Sequence, residues 1–135
     1  MPCMVELVCV DPKLVDQFWP HASELIQTAV ERTGLCEFKD IETQVLSGGQ
    51  LLWLAWSGSI EAAATTQLVK LNGHLVCVLT ACGGHQRERW LPLLAKIEQF
   101  AKDEGCTCLR IFGRRGWERV LNDYRVEHII LEKQL

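Results

Sequence analysis

An apolar strand pattern, two glycines and a cluster of charged residues follow one another in the segment ACGGHQRERW. Gly83 and Gly84 come first, and Arg87 and Arg89 follow just before a helical pattern. Glycine lets a backbone approach an anion without a Cβ between them, and the amides at the start of a helix point toward negative charge. These residue types in this order predict a phosphate-binding turn, with His85 as a further polar contact.

A second group of arginines follows the next predicted strand: Arg114, Arg115 and Arg119. Ligands of open sheets bind beyond the carboxyl ends of parallel strands, and arginine binds phosphate through two parallel hydrogen bonds. The two groups are therefore predicted to converge on one anion-binding mouth. The same arginines also fit a solvated surface on which they pair with nearby carboxylates such as Glu88 and Asp123.

The histidines and cysteines predict neither a hydrolytic triad nor a metal site. The four histidines are scattered, without a cysteine or serine partner at a suggestive spacing. Cys106 and Cys108 form a CxC pair with no matching Cys or His pair elsewhere. The N-terminus lacks the basic start of a signal peptide, so the seven cysteines are expected to be free thiols in a reducing cytoplasm.

Length and charge restrict the class of protein. The 135 residues correspond to one domain, 1–135, with enough surface to bury a core. A net charge of −3 gives no overall attraction to nucleic acid, so no nucleic-acid partner is expected. No apolar run approaches the roughly 20 residues of a membrane span, and we expect a cytoplasmic protein without a membrane partner.

The periodicity of apolar residues predicts an α/β domain. Pro20 is expected to split the first helix, and Asn72-Gly73 predicts a hairpin. A strand, a helix and a strand in succession predict a right-handed crossover and one parallel strand pair in a mixed, mostly antiparallel sheet, with helices on both faces. The predicted elements are a strand at 4–10, helices at 12–18, 20–33 and 39–46, strands at 50–58, 59–71 and 74–82, a helix ending at Gly105, a strand at 106–113, a short helix at 116–123 and a closing strand at 124–134.

This order of elements resembles the GCN5-related N-acetyltransferase (GNAT) fold over nearly the whole chain. The segment CLRIFGRRGWERVLNDY, before a short final strand, resembles small members encoded by phages and prophages. The resemblance implies a single GNAT-like domain that transfers an acyl group from acetyl-CoA to a small amine or a protein N-acceptor. It also implies residues that contact the pantetheine arm through their backbone, Leu79, Thr80 and Ala81, and residues around the phosphates, Gly83, Gly84, His85, Arg87, Arg89 and Arg114.

Two residues are candidates for acid–base chemistry. Glu61, beside three alanines on a predicted strand, is the candidate base for an amine acceptor, or an exposed glutamate at a strand end. The resemblance implies a tyrosine that protonates the CoA thiolate, and Tyr124 is the only tyrosine of the chain. The aligned position is Leu121, three residues earlier, so Tyr124 is either that acid or a residue packed at a helix–strand junction.

The turn departs from the family pattern R/Q-x-x-G-x-G/A. Its aligned segment, HQRERW, has Gln86, Glu88 and Trp90 where small residues are expected. A second hypothesis follows: a non-catalytic phage structural or virion-associated protein that keeps the fold as a scaffold for a protein partner.

Overall fold

The computed structural model describes residues 4–113 and 116–135. Five strands and five α-helices form in these residues, with a 3-10 turn at Leu91–Leu93 between two of the helices. Their order is β1 (Glu6–Cys9), α1 (Val15–Thr33), α2 (Phe38–Ser47), β2 (Leu51–Trp56), β3 (Ile60–Leu71), β4 (His74–Gly84), α3 (Arg87–Trp90), α4 (Leu94–Asp103), β5 (Cys108–Ile111) and α5 (Gly116–Val120).

The strands form one sheet in the order β1-β2-β3-β4-β5. The first four are antiparallel neighbours, and β5 pairs parallel to β4. Asn72 and Gly73, with φ of 50° and 80°, make the tight turn between β3 and β4. The crossover through α4 brings β5 back beside β4, which confirms the predicted mixed sheet with one parallel pair.

Helices cover both faces of this sheet. On one face α1 and α2 pack against β2, β3 and β4, around Ile26 and Leu52, which are both fully buried. On the other face Ile97 of α4 packs against Trp53 and Leu79. β2 is apolar on both sides for this reason, as a strand covered by helices requires.

Two predicted features are wrong, the break in the first helix and the closing strand. Helix α1 runs through Pro20 without a break. Pro20 has no N–H to donate to the Asp16 carbonyl, but both residues face solvent, so the helix tolerates the loss of this hydrogen bond. The predicted closing strand at 124–134 does not form: residues 124–135 have no regular secondary structure. Its apolar pattern is typical of a strand, but a strand also requires a partner edge, which a pattern does not supply.

Among the helices of the described ranges, none is long and apolar enough to cross a bilayer.

Candidate functional site

The two parallel strands part at a bulge in β4. Their ladder ends where Leu79 pairs with Ile111, followed by a hydrogen bond of 3.3 Å from the Phe112 amide to the Leu79 carbonyl. The β3–β4 register shifts at this level, since Thr65 pairs with Ala81 and Thr66 with Leu79, which leaves Thr80 as the extra residue. β4 then continues to Gly84 along β3 alone in the described chain, so its other backbone edge faces open space.

A cleft of about 530 Å³ occupies the space that this separation opens. Its floor is the final part of β4, one wall is α1, and the other is the end of β5 with Trp117. Seven of the predicted cofactor residues line it: Leu79, Thr80, Ala81, Gly83, Gly84, His85 and Arg87. Arg89 is not among the lining residues, and Arg114 lies outside the described residues.

Helix α1 runs in the same direction as β4. Each of the strands β1 to β4 is antiparallel to the one before it, so β4 runs opposite to β1. α1 follows β1 in the chain and runs back along the sheet, also opposite to β1. Leu25 lies over Gly83, since a Cβ at Gly83 would come within 2.5 Å of the Leu25 carbonyl oxygen. His21, four residues before Leu25, and Arg32, seven residues after it, both line the cleft.

The two glycines belong to β4 rather than to the turn, so the strand ends two residues later than predicted. Gly83 allows α1 to pack closely on the strand. A Cβ on Gly84 would lie 2.5 Å from both the Ala62 Cβ and the Glu61 carbonyl oxygen. Close packing within the protein therefore requires both glycines, whether or not a ligand is bound.

The turn after β4 is held by internal hydrogen bonds. The His85 amide donates to the Glu61 carbonyl over 3.1 Å, and the Trp90 indole donates to the His85 carbonyl over 2.9 Å. Trp90 packs against Trp117 with ring centroids 6.3 Å apart. Gln86 has a φ of 50°, in the left-handed region where glycine is preferred. The backbone thus has a glycine-like conformation at one position where the family pattern expects a small residue.

Besides Thr33 at its end, α1 contributes four polar residues to the cleft lining that were missed at the sequence level: His21, Glu24, Thr28 and Arg32. Their spacing of three or four residues places them in one stripe beside the buried stripe of the same helix. That spacing was a usable signal, but a polar stripe on a helix also describes any solvated face. Together with His85, Arg87 and Glu88, they give the cleft charges of both signs.

Glu61 forms an ion pair with Arg89. The Arg89 Nε lies 2.7 Å from Glu61 Oε1, and its Nη2 donates to Oε2 over 3.2 Å. Hydrogen bonds from the Ser57 hydroxyl and from Arg89 lower the pKa of Glu61 below its ordinary value. Two predicted functional residues are therefore bound to each other, and neither lines the cleft.

Tyr124 contacts α4 instead of the cleft. Its hydroxyl donates to Glu98 Oε2 over 2.5 Å. Burial, followed by this hydrogen bond to a carboxylate, raises the pKa of Tyr124 far above its ordinary value. In the structure its proton is directed to Glu98, and the lining of the cleft does not include the tyrosine.

A buried chain of polar groups holds the bulge. The Thr65 and Thr80 hydroxyl oxygens are 2.6 Å apart, and the Thr80 hydroxyl donates to Gln50 Oε1 over 2.7 Å. Gln50 in turn donates to Gln44 Oε1 over 2.7 Å. Thr65 is fully buried within this chain of hydrogen bonds.

Cys82, which lines the cleft, has an unreactive thiol. Burial raises the pKa of the Cys82 thiol to about 12, so the thiol is protonated at neutral pH and is a poor nucleophile. The six cysteines in the described ranges are free thiols. In the same residues, no group of three His, Cys, Asp or Glu side chains is placed to hold a metal ion.

The chain is similar in fold to solved acetyltransferases, although no protein-family model and no curated protein sequence matches it. An aminoglycoside acetyltransferase from a soil metagenomic sample, solved with sisomicin, aligns at a TM-score of 0.69 with 8% identity, over 98% of this chain and 97% of that one. A predicted acetyltransferase from Clostridium acetobutylicum, solved with acetyl-CoA, aligns at 0.66 with 11% identity, over 98% and 96%. A GNAT family acetyltransferase from Staphylococcus aureus aligns at 0.63 with 14% identity, over 98% and 99%. The chain therefore has the GNAT fold.

Proposed function

We propose that the protein is an acyl-CoA-dependent N-acyltransferase whose donor binds where β4 and β5 part. The observation that carries this proposal is the free backbone edge of β4 beyond Thr80, which faces a cleft of about 530 Å³. An extended ligand arm that carries amide groups can add to such an edge as a further strand would. The solved neighbour with bound acetyl-CoA supports this choice of ligand.

The residues around the cleft fit the two ends of such a donor. Leu79, Thr80 and Ala81 offer backbone groups to the pantetheine arm. Arg87 and Arg32, which both line the cleft, supply guanidinium groups for the phosphates. When bound, acetyl-CoA supplies the thioester whose acyl group the acceptor amine takes.

Side chains replace backbone amides in this version of the phosphate site. Glycines in the family turn allow backbone amides to converge on the anion, whereas the glycines here serve the packing of β4. Glu24 and Glu88 also line the cleft and repel a diphosphate. We therefore expect weaker binding than a glycine-rich turn gives, with a marked dependence on salt.

The proton of the acceptor amine requires a residue other than Glu61, since Arg89 holds that carboxylate. His21 lines the cleft, and a neutral imidazole has a ring nitrogen that can accept a proton. We assign His21 this role. Attack on a thioester otherwise depends mainly on positioning of the amine.

A non-catalytic scaffold is the second candidate function. It is favoured by the two predicted acid–base residues, which are bound to partners away from the cleft. In this case the cleft and its arginines contact a protein, and the proposed phage or virion setting supplies that partner. Binding of CoA separates the two candidates.

The deciding experiment is titration calorimetry with acetyl-CoA and with CoA. Acyltransferase function predicts binding that Arg87→Ala and Arg32→Ala each weaken about tenfold or more, as expected for loss of a charge-assisted contact. Lys70→Ala is the matched control, because it removes one positive charge at the opposite end of β3. Absence of heat at high ligand concentration, or equal weakening by Lys70→Ala, would refute the donor site.

A further inference from the structure

The bulge in β4 puts two consecutive side chains on the same face of the sheet. The Thr80 hydroxyl meets Gln50, just after α2, and Ala81 belongs to the core around Ile26 on that face. Successive residues of a regular strand point to opposite faces, so this arrangement requires the extra residue of a bulge. A regular register would turn one of the two side chains away from α1 and α2, and it would change which backbone groups of β4 face the cleft.

The hydrogen bonds of the Thr80 hydroxyl are directed into the protein. Its oxygen lies 2.6 Å from the Thr65 hydroxyl, 2.7 Å from Gln50 Oε1 and 3.1 Å from the Thr65 carbonyl oxygen. Gln50 presents its oxygen to Thr80 because its own amide group donates to Gln44 Oε1, which also accepts a hydrogen bond of 3.1 Å from the Gln67 amide. The Thr80 hydroxyl proton is thus directed to acceptors in the core, and the side chain has no proton left for a ligand in the cleft.

From these contacts we infer that Gln50 is a positioning residue for the acyl donor, although the lining of the cleft does not include it. Gln50 accepts the hydrogen bond that keeps Thr80 as the extra residue, and it thereby fixes the backbone of Thr80 and Ala81, which both line the cleft. The inference rests on the proposed function, since the ligand is the pantetheine arm of acyl-CoA. The amide groups of this arm need donors and acceptors at set positions, so a shift of the register by one residue would remove hydrogen bonds to it.

Stability and donor affinity are expected to respond differently to changes at this hydrogen bond. Gln50 and Thr80 are both buried, so removal of the Thr80 hydroxyl alone leaves the Gln50 oxygen without a donor. Replacement of both partners by apolar groups leaves neither of them unpaired, which is far less costly. A double variant therefore regains stability, but it does not regain the hydrogen bond that fixes the bulge. This difference separates a positioning role from a merely structural one.

Titration calorimetry with acetyl-CoA, beside urea unfolding of the same proteins, tests the inference on Thr80→Val, Gln50→Met and the double variant. Each single substitution is expected to lower stability and to weaken acetyl-CoA binding about tenfold, the effect of one or two neutral hydrogen bonds. In the double variant the stability is expected to return toward that of wild type, whereas the affinity stays about tenfold lower. Thr80→Ser keeps the hydroxyl and is expected to bind acetyl-CoA as wild type does.

Thr66→Val is the matched control for loss of stability. Thr66 is also buried beside the bulge, and its hydroxyl accepts a hydrogen bond of 2.9 Å from the Trp53 indole, so the substitution leaves a buried group unpaired without touching Gln50. This control is expected to lose stability and to keep its affinity for acetyl-CoA. Absence of acetyl-CoA binding by wild type would overturn the proposed function together with this inference. Affinity that returns with stability in the double variant, single variants that bind as wild type does, or equal weakening by Thr66→Val would overturn the inference alone.

Discussion

Gly83→Ala tests whether the first glycine after the bulge serves packing or a ligand. In the folded protein α1 lies directly on this residue. An added Cβ would stand 2.5 Å from the Leu25 carbonyl oxygen and 3.2 Å from the Ala29 Cβ. The first contact is impossible without movement, and its partner is the backbone of a helix rather than the flexible end of a side chain. The substitution must therefore displace α1 from β4.

The expected cost follows from this geometry. Overpacking of a core costs about 1–3 kcal/mol, and movement of a long helix belongs in the upper half of that range. We expect Gly83→Ala to lower the free energy of unfolding by about 2–3 kcal/mol. For a chain of this length the midpoint of thermal unfolding then falls by about 7–10 °C.

Thermal and urea unfolding of Gly83→Ala beside Gly49→Ala supply the measurement. Gly49 is the matched control, because its added Cβ meets Gln44 at an ordinary 3.5 Å. The control is expected to stay within about 1 kcal/mol of wild type. If Gly83→Ala is as stable as the control but loses acetyl-CoA binding, the packing argument is refuted and the glycine serves the ligand directly.

Three smaller perturbations test the residues around the site. Tyr124→Phe removes the hydrogen bond to Glu98 and should cost about 1–2 kcal/mol of unfolding free energy at neutral pH. Because the pKa of Tyr124 is raised in the folded state, this stability difference should shrink as the pH rises above about 10. Urea titrations in which the difference persists unchanged in alkali would contradict the hydrogen bond as its cause. Glu61→Gln should destabilise the protein at neutral pH and have no effect in acid. A carboxylate with a lowered pKa contributes stability above its ordinary pKa and loses this contribution as the pH falls. Urea titrations at neutral and acid pH measure the effect, and an equal stability difference at both would exclude the ion pair with Arg89 as its cause. Gln86→Gly should raise the free energy of unfolding by up to about 1 kcal/mol, because it relieves a positive φ. A lower midpoint of thermal unfolding in calorimetry would show that a contact of the glutamine side chain stabilises the fold by more than this backbone strain destabilises it.

The fold was largely predictable because its signals are local. Asn72-Gly73 fixes a hairpin through φ values that these residues tolerate, and the helical period before Gly105 fixes the crossover that makes β5 parallel. The closing strand was predicted from an equally good local pattern and is absent. Its formation depends on a partner edge, which is a property of tertiary structure rather than of the segment.

For the candidate site, the sequence predicted a position rather than an arrangement. The residues at the end of β4 that it singled out line the cleft, since strand ends and turns follow from the sequence pattern. The pairing of Glu61 with Arg89 could not be predicted, because the two residues lie 28 positions apart and meet only through the β3–β4 register. For the same reason the glycines were assigned to a turn, although the close approach of α1 accounts for Gly83.

The bulge at Thr80 connects the interior of the protein with the cleft. Its hydroxyl takes part in a buried chain with Thr65 and Gln50, while Thr80 itself lines the opening between β4 and β5. Buried polar groups are costly unless all of them are paired, and no buried side-chain N or O atom in the described residues lacks a partner. An apolar residue in place of Thr80 would leave the Gln50 side-chain oxygen without its hydrogen-bond donor. The network therefore favours the backbone arrangement in which Thr80 is the extra residue of β4. The bulge at which the two strands part is therefore stabilised by hydrogen bonds within the core.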